Sequence, residues 1–211
     1  MKEKADKLDW QDREDSSFVQ RIAKIHPHQM ILYGALVGIS LVFLFLEIAF
    51  VVSSFHPKSR LVWVPSAFVA STALLISSSF AIAKTMKAYR NGDLERLSQF
   101  LLLTLALGIG YCGLQVFGWA ELYQSNIKLS GTPAGSFLYL ISGVHLAHIL
   151  GGMGFLAMAF IIVRKKMQDP VDQLIYETSP YEIIRLRMLN IYWHVMDVIW
   201  VIIFTTFCLL L

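Results

Sequence analysis

The chain has 211 residues, 56% of them hydrophobic and only 16% charged, with a mean hydropathy of +0.58 and a formal net charge of +3. In an ordinary soluble domain about a quarter of the residues are charged, so this composition excludes one and describes a membrane protein. Nothing in the charge balance points to nucleic acid as a partner.

Residues 1–25 alternate six acids with six bases and lack the apolar stretch of a signal peptide. They read as a polar, solvated tail on the cytoplasmic side, ahead of a membrane domain over 26–211. The bilayer core is about 30 Å thick and takes ~20 apolar residues per helix. Five runs of that kind follow, at 29–54, 62–83, 98–119, 134–163 and 189–211. They are continuously apolar, without the period-two alternation of barrel strands, and so predict helices. The Ser, Thr and Ala residues of the second run, SAFVASTALLISSSFAIA, permit close contact and interhelical hydrogen bonds, and the third run has Gly108, Gly110 and Gly113, small residues that let helices approach closely. His56-Pro57 and SGTP at 130–133 mark short outer turns, whereas the cytoplasmic connections read as longer and polar. Of the 18 Lys and Arg residues, 15 fall in the tail or in the second and fourth connections. By the positive-inside rule the N-terminus is cytoplasmic and the C-terminus external.

Inside the runs the ionisable groups are Glu47, His145, His148, His194 and Asp197. A charge at the bilayer centre costs about 2.5–3.5 kcal/mol on insertion scales, so each of these needs a partner, water or the interface. Glu47 lies ~10 Å from the outer end of its run and can reach the interface. His145 and His148 are three residues apart in SGVHLAHILGG, as are His194 and Asp197 in YWHVMD, and each pair shares a helical face. His148 and Asp197 lie at matching depth, roughly 21 Å below the outer ends. The expectation is a polar network joining the fourth and fifth runs, with Trp193 or Trp200 packed beside it. Haem ligation by the histidines, a proton relay through Asp197 and a metal site are the functional alternatives. Cys112 and Cys208 have neither metal nor disulfide spacing and read as packing residues.

FLYLISGVHLAHILGGM at 137–153 followed by IYWHVMDVIWVIIF at 191–204 resembles subunit III of the haem-copper cytochrome c oxidases. STALLISSS at 71–79, YRNGDLERL at 89–97, TLALGIGYCGLQVFGW at 104–119 and KIHPHQM at 24–30 extend the resemblance over about residues 24–210. It implies the short, five-helix bacterial form, a V-shaped all-α bundle with a lipid-filled cleft in the inner membrane. It further implies an accessory role beside subunits I and II of a proton-pumping enzyme that reduces oxygen to water. Haem and copper would belong to those partners, none to this chain, and a larger respiratory supercomplex could include it.

The residues that carry over are His145, His148, Trp193, His194, Asp197 and Trp200, as a structural polar network. Arg96, Arg185 and Arg187 are candidates for phospholipid headgroup contacts, since guanidinium binds phosphate bidentately. One departure stands out. Where the family's first retained helix has Ser-Glu, this chain has Ser40-Leu41, and the nearest acid is Glu47, ~9 Å further along. The family's carboxylate role is therefore not transferred to Glu47. A quinol oxidase subunit III and the accessory protein of a nitric oxide reductase are the neighbouring readings, and a haem-bearing membrane anchor is the reading from another class.

Overall fold

A computed structural model of the chain describes residues 27–55, 64–128 and 133–210. The polar tail at 1–25 and the outer turns at His56-Pro57 and 130–132 lie outside the described residues. The described residues form six helices: α1 Pro27–Ser54, α2 Ser66–Arg90, α3 Leu94–Gln124, α4 Pro133–Lys166, α5 Pro170–Thr178 and α6 Pro180–Leu210. All but α5 are long and apolar enough to cross a bilayer, and the chain is an all-α, multi-pass membrane protein. The part of α1 through Ile39 belongs to one compact unit and Ser40–Leu211 forms the other.

Two expectations about the connections need correction. The second connection is not long and polar: α2 runs on to Arg90, α3 begins at Leu94, and only residues 91–93 lie between them. The reason is local. Gly92 adopts φ +67°, Gly92 N–H donates to the Tyr89 carbonyl at 3.1 Å and Asp93 N–H to Ala88 at 3.1 Å, a Schellman ending. Asp93 then caps α3, its side chain accepting from Arg96 N–H at 2.9 Å. The fourth connection also carries a helix of its own, α5, capped by Asp169 and opened by Pro170, while α6 starts at Pro180, well before the apolar run at 189. Bilayer thickness limits the apolar stretch and leaves polar residues free to continue the helix in water.

In the unit from Ser40 onward, α2 packs on α3, α3 on α4, α4 on α6 and α6 back on α2, so the four helices close a ring. The half of that ring nearest the turn at 91–93 is filled by Ile82, Leu94, Leu97, Leu101, Leu156, Val163, Leu186 and Trp193. On its rim Tyr89 hydroxyl donates to the carbonyls of Tyr176 at 2.8 Å and Ser179 at 3.1 Å, tying α5 and the start of α6 to α2. Burial, then the charges of Glu182 and Tyr89, push the Tyr176 phenol above its usual range, and Arg185 opposes them. The C-terminal half of α1 joins through Phe43, edge-on to His145 and His148, and Phe50, edge-on to Phe207. Outward-facing Phe80, Phe117 and Phe155 are each two-thirds exposed, the arrangement expected where the surrounding solvent is hydrocarbon.

Candidate functional site: a hydroxyl and indole ladder in the bundle

The buried polar groups converge on α2, where the hydroxyls of Thr72, Ser78 and Thr85 lie six and seven residues apart, with Ser79 next to Ser78. Opposite them α6, running antiparallel, presents Trp200, Trp193, His194 and Asn190. Trp200 Nε1 donates to Thr72 Oγ1 at 2.9 Å, Trp193 Nε1 to Ser78 Oγ at 2.9 Å and Asn190 Nδ2 to Thr85 Oγ1 at 3.0 Å. His194 Nδ1 and Ser79 Oγ are 2.7 Å apart. Each accepting hydroxyl spends its own proton on its helix: Thr72 on Phe68 O at 2.7 Å, Ser78 on Leu75 O at 2.7 Å, Thr85 on Ile82 O at 2.6 Å. With the proton so engaged, a lone pair faces the neighbouring helix and takes an N–H donor.

The same device is used twice more. Gln115 Nε2 on α3 donates to Ser71 Oγ at 2.9 Å, and Trp119 Nε1 donates to Ser142 Oγ on α4 at 3.0 Å, with Ser142 donating to Leu138 O at 2.7 Å. Interhelical hydrogen bonds in lipid average about 0.6 kcal/mol and reach about 1.7. Replacing Ser78 by Ala is expected to destabilise the purified chain within that range in an SDS unfolding titration. Trp193→Phe should add little once Ser78 is gone; additive losses in the double variant would mean that the 2.9 Å bond contributes nothing.

The histidines and the aspartate take a different arrangement from the expected one. Asp197 is buried, and among the described residues neither carboxyl oxygen has a partner in good hydrogen-bond geometry, so it makes no bond to His148; the polar side chain beside it is Ser79. His148 instead donates from Nδ1 to Val144 O at 2.8 Å in its own helix, and its carbonyl accepts from Tyr192 hydroxyl on α6 at 2.8 Å. His145 is fully buried and, among the described residues, has no hydrogen-bond partner at either ring nitrogen. It is enclosed by rings, with centroids of Trp200 at 5.0 Å, Phe43 at 5.7 Å and Tyr111 at 6.1 Å. The hydrogen bond and the ring contact between α4 and α6 thus come from Tyr192 and from the His145–Trp200 face, with the His194 contact going to α2. Among the described residues no three His, Cys, Asp or Glu side chains are grouped to hold a metal ion.

Of the arginines, Arg96 pairs with Asp93 at 3.0 Å, Arg185 Nη1 lies 3.1 Å from both Glu182 carboxyl oxygens, and Arg187 is exposed without an ion-pair partner among the described residues. Cys112 does pack, its thiol 3.7 Å from Met153 Sδ, but Cys208 is exposed on α6 and is not a packing residue. A groove of about 480 Å³ runs between the C-terminal half of α1 and α6, walled by Phe43, Leu44, Val195, Val198, Ile199, Ile202 and Ile203, with Ser40, Glu47 and His194 on its lining. Among the described residues the two carboxyl oxygens of Glu47 have no partner in good hydrogen-bond geometry, and the polar side chain beside them is Thr206.

The hydroxyls of α2 make the interhelical hydrogen bonds expected of them, but their partners on α6 went unpredicted, although a signal is in the sequence: hydroxyls six or seven residues apart on α2, and two tryptophans seven apart on α6. The motifs around it are matched over residues 28–210 by the family model described as cytochrome c oxidase subunit III. The chain belongs to the cytochrome c oxidase subunit III family. Relatives similar to it include a probable cytochrome c oxidase subunit 3 of Nocardia farcinica, 27% identical over 135 residues. That match covers 64% of this chain and 62% of the relative, so the chain is aligned with less than two thirds of that protein. The cytochrome c oxidase subunit 3 of Corynebacterium diphtheriae is 25% identical over 203 residues, 91% of this chain and 94% of the relative. That of Bacillus subtilis is 27% identical over 150 residues, 71% and 67% respectively.

Proposed function

We propose that this subunit III family member is an accessory, non-redox subunit of a proton-pumping terminal oxidase in the bacterial inner membrane, an enzyme reducing oxygen to water. In this reading subunits I and II hold the haems and copper, and this chain stabilises subunit I, sustains its proton uptake and binds phospholipid. The observation that carries the accessory role is the enclosure of the intramembrane imidazoles and indoles. His145 sits among aromatic rings, while His194, Trp193 and Trp200 are tied to α2 hydroxyls. Side chains committed in this way hold helices together.

Phospholipid binding is supported by the apolar groove beside α6, whose walls suit an acyl chain. Of the three arginines Arg187 is the one open to a headgroup; Arg96 and Arg185 would have to exchange a carboxylate for a phosphate. Partners beyond subunits I and II would form a larger respiratory supercomplex.

Affinity purification of the chain from its host in mild detergent, with an optical spectrum and identification of bound polypeptides, tests the proposal. The expected result is a large haem-bearing subunit in the eluate, with oxygen consumption driven by reduced cytochrome c. Consumption driven by quinol alone makes the partner a quinol oxidase, and a nitric oxide reductase in the eluate moves the chain to that complex. A Soret band on the isolated chain would replace the proposal with a haem-bearing anchor.

A further inference from the structure

α5 is amphipathic in the inverted sense. Its other face is polar and aromatic and partly covered by the protein: Tyr176 is buried under Tyr89, the Glu177 carboxyl lies against Gly92 and accepts from Gln173 at 2.8 Å, and Asp172, its side chain 44% exposed, pairs with Lys166 at 3.2 Å. Its opposite face, at the spacing i, i+3, i+4, consists of Val171, Leu174 and Ile175, which are 65%, 62% and 58% exposed. A short helix in water does the reverse, burying its aliphatic side chains and exposing its carboxylates. Three aliphatic side chains held outward by a polar underside indicate that the medium on that side is not bulk water.

The position of the helix says what that medium is. α5 packs on α4 and lies between the last turn of α4, with Arg164, Lys165 and Lys166, and the first turn of α6. This is the basic, cytoplasmic end of two membrane-crossing helices. On α4 just ahead of it, Met158 and Ile161 are themselves exposed. The acids of α5 are all used internally: Asp169 accepts from Val171 N–H at 2.8 Å, Asp172 holds Lys166, and Glu177 takes the Gln173 amide. Arg164, Lys165 and Arg187 are left exposed, with no ion-pair partner among the described residues.

We infer that α5 is an interfacial strap, lying in the cytoplasmic leaflet with Val171, Leu174 and Ile175 in the acyl boundary and Arg164, Lys165 and Arg187 on anionic phospholipid headgroups. Aliphatic residues beside basic ones are the composition by which surface helices hold anionic membranes. The strap is held to the bundle by the two hydrogen bonds of Tyr89 and by the Asp172–Lys166 pair. It therefore fixes the depth of α4 and α6 relative to the headgroups. The inference holds for the chain whichever oxidase partners it has.

The test places a nitroxide on the full chain at Leu174→Cys or Ile175→Cys, in a background of Cys112→Ser and Cys208→Ser. The protein is reconstituted in vesicles of phosphatidylglycerol and phosphatidylethanolamine, with Gln168→Cys, on an exposed turn residue, as the aqueous reference. Expected is a severalfold higher collision rate with oxygen than with a water-soluble nickel chelate at positions 174 and 175, and the opposite ranking at 168. That preference should decline in vesicles of phosphatidylcholine alone, and in the anionic vesicles when Arg164, Lys165 and Arg187 are all replaced by Gln. Nickel collisions at 174 and 175 equal to those at 168 would put the face in water and overturn the inference. Protection from both reagents would mean that protein, not lipid, covers it. Unchanged behaviour in phosphatidylcholine would remove the anionic headgroup from the proposal.

Discussion

Replacing Trp200 by Ala is expected to lower the free energy of SDS-induced unfolding of the purified chain by about 3–5 kcal/mol, the range for truncating a buried tryptophan. Trp200 is completely buried and touches three helices besides its own. Its indole nitrogen holds Thr72 on α2, and its ring meets Tyr111 on α3 with centroids 5.5 Å apart, His145 on α4 at 5.0 Å and Phe68 on α2 at 6.2 Å. Between helices in lipid the driving force is packing rather than release of water, so a void at this junction removes dispersion contacts that lipid cannot replace. It also leaves His145, which has no hydrogen-bond partner among the described residues, without its closest aromatic neighbour. Trp200→Phe separates the contributions: most of the packing survives and the Thr72 bond is lost, so a loss nearer 1 kcal/mol is expected. Equal losses for Phe and Ala would show that the hydrogen bond, not the ring contacts, carries the stability.

Gly118→Val is expected to do comparable damage by the opposite route. A Cβ at residue 118 would fall within the Phe68 ring, against its Cε1 and Cδ1. Phe68 is fully buried and stands edge-on to Trp200, so it cannot move aside without disturbing the same junction. Overpacking of a filled core costs about 1–3 kcal/mol and more where nothing yields. Gly118→Ala should therefore be harmful and Gly118→Val worse, read as loss of folded chain in detergent. Pairing Gly118→Ala with Phe68→Leu should recover part of the loss, because the smaller side chain vacates the contested space. If Gly118→Val proves neutral, the close approach of α2 and α3 at this level is wrong.

The five crossings, their order and the helical fold were legible before any coordinates, because a bilayer demands ~20 apolar residues per helix and imposes that demand locally. The pairing of the helices was less legible. His148 and Asp197 share a depth and the right chemistry, and a direct contact between them was the natural expectation; yet His148 bonds within its own helix and Asp197 has Ser79, not His148, beside it. Depth follows from counting residues at 1.5 Å each, whereas the azimuth at which a side chain meets its neighbour follows from how the ring of helices closes. The serines and threonines of α2 promised close contact and interhelical hydrogen bonds, and they are the acceptors for three donors of α6, since a hydroxyl bonded to its own helix retains a lone pair for the next. The connection at residues 91–93 looked long because its flanks are charged, but Gly92 and Asp93 reverse the chain within those residues.

The sequence by itself determined that this is a multi-pass helical membrane protein, and it carried the paired His-rich and YWH-containing motifs of the subunit III family. Those properties reside in contiguous residues: transfer into lipid is summed over a segment, and a motif is read along one strand of text. Only the tertiary structure decided which hydroxyl meets which indole, that His145 is enclosed by rings, and that α5 turns its aliphatic face outward. Each of these depends on residues distant in the chain, from about 20 between Trp119 and Ser142 to more than 100 between α2 and α6. Their encounter is set by packing all the helices at once.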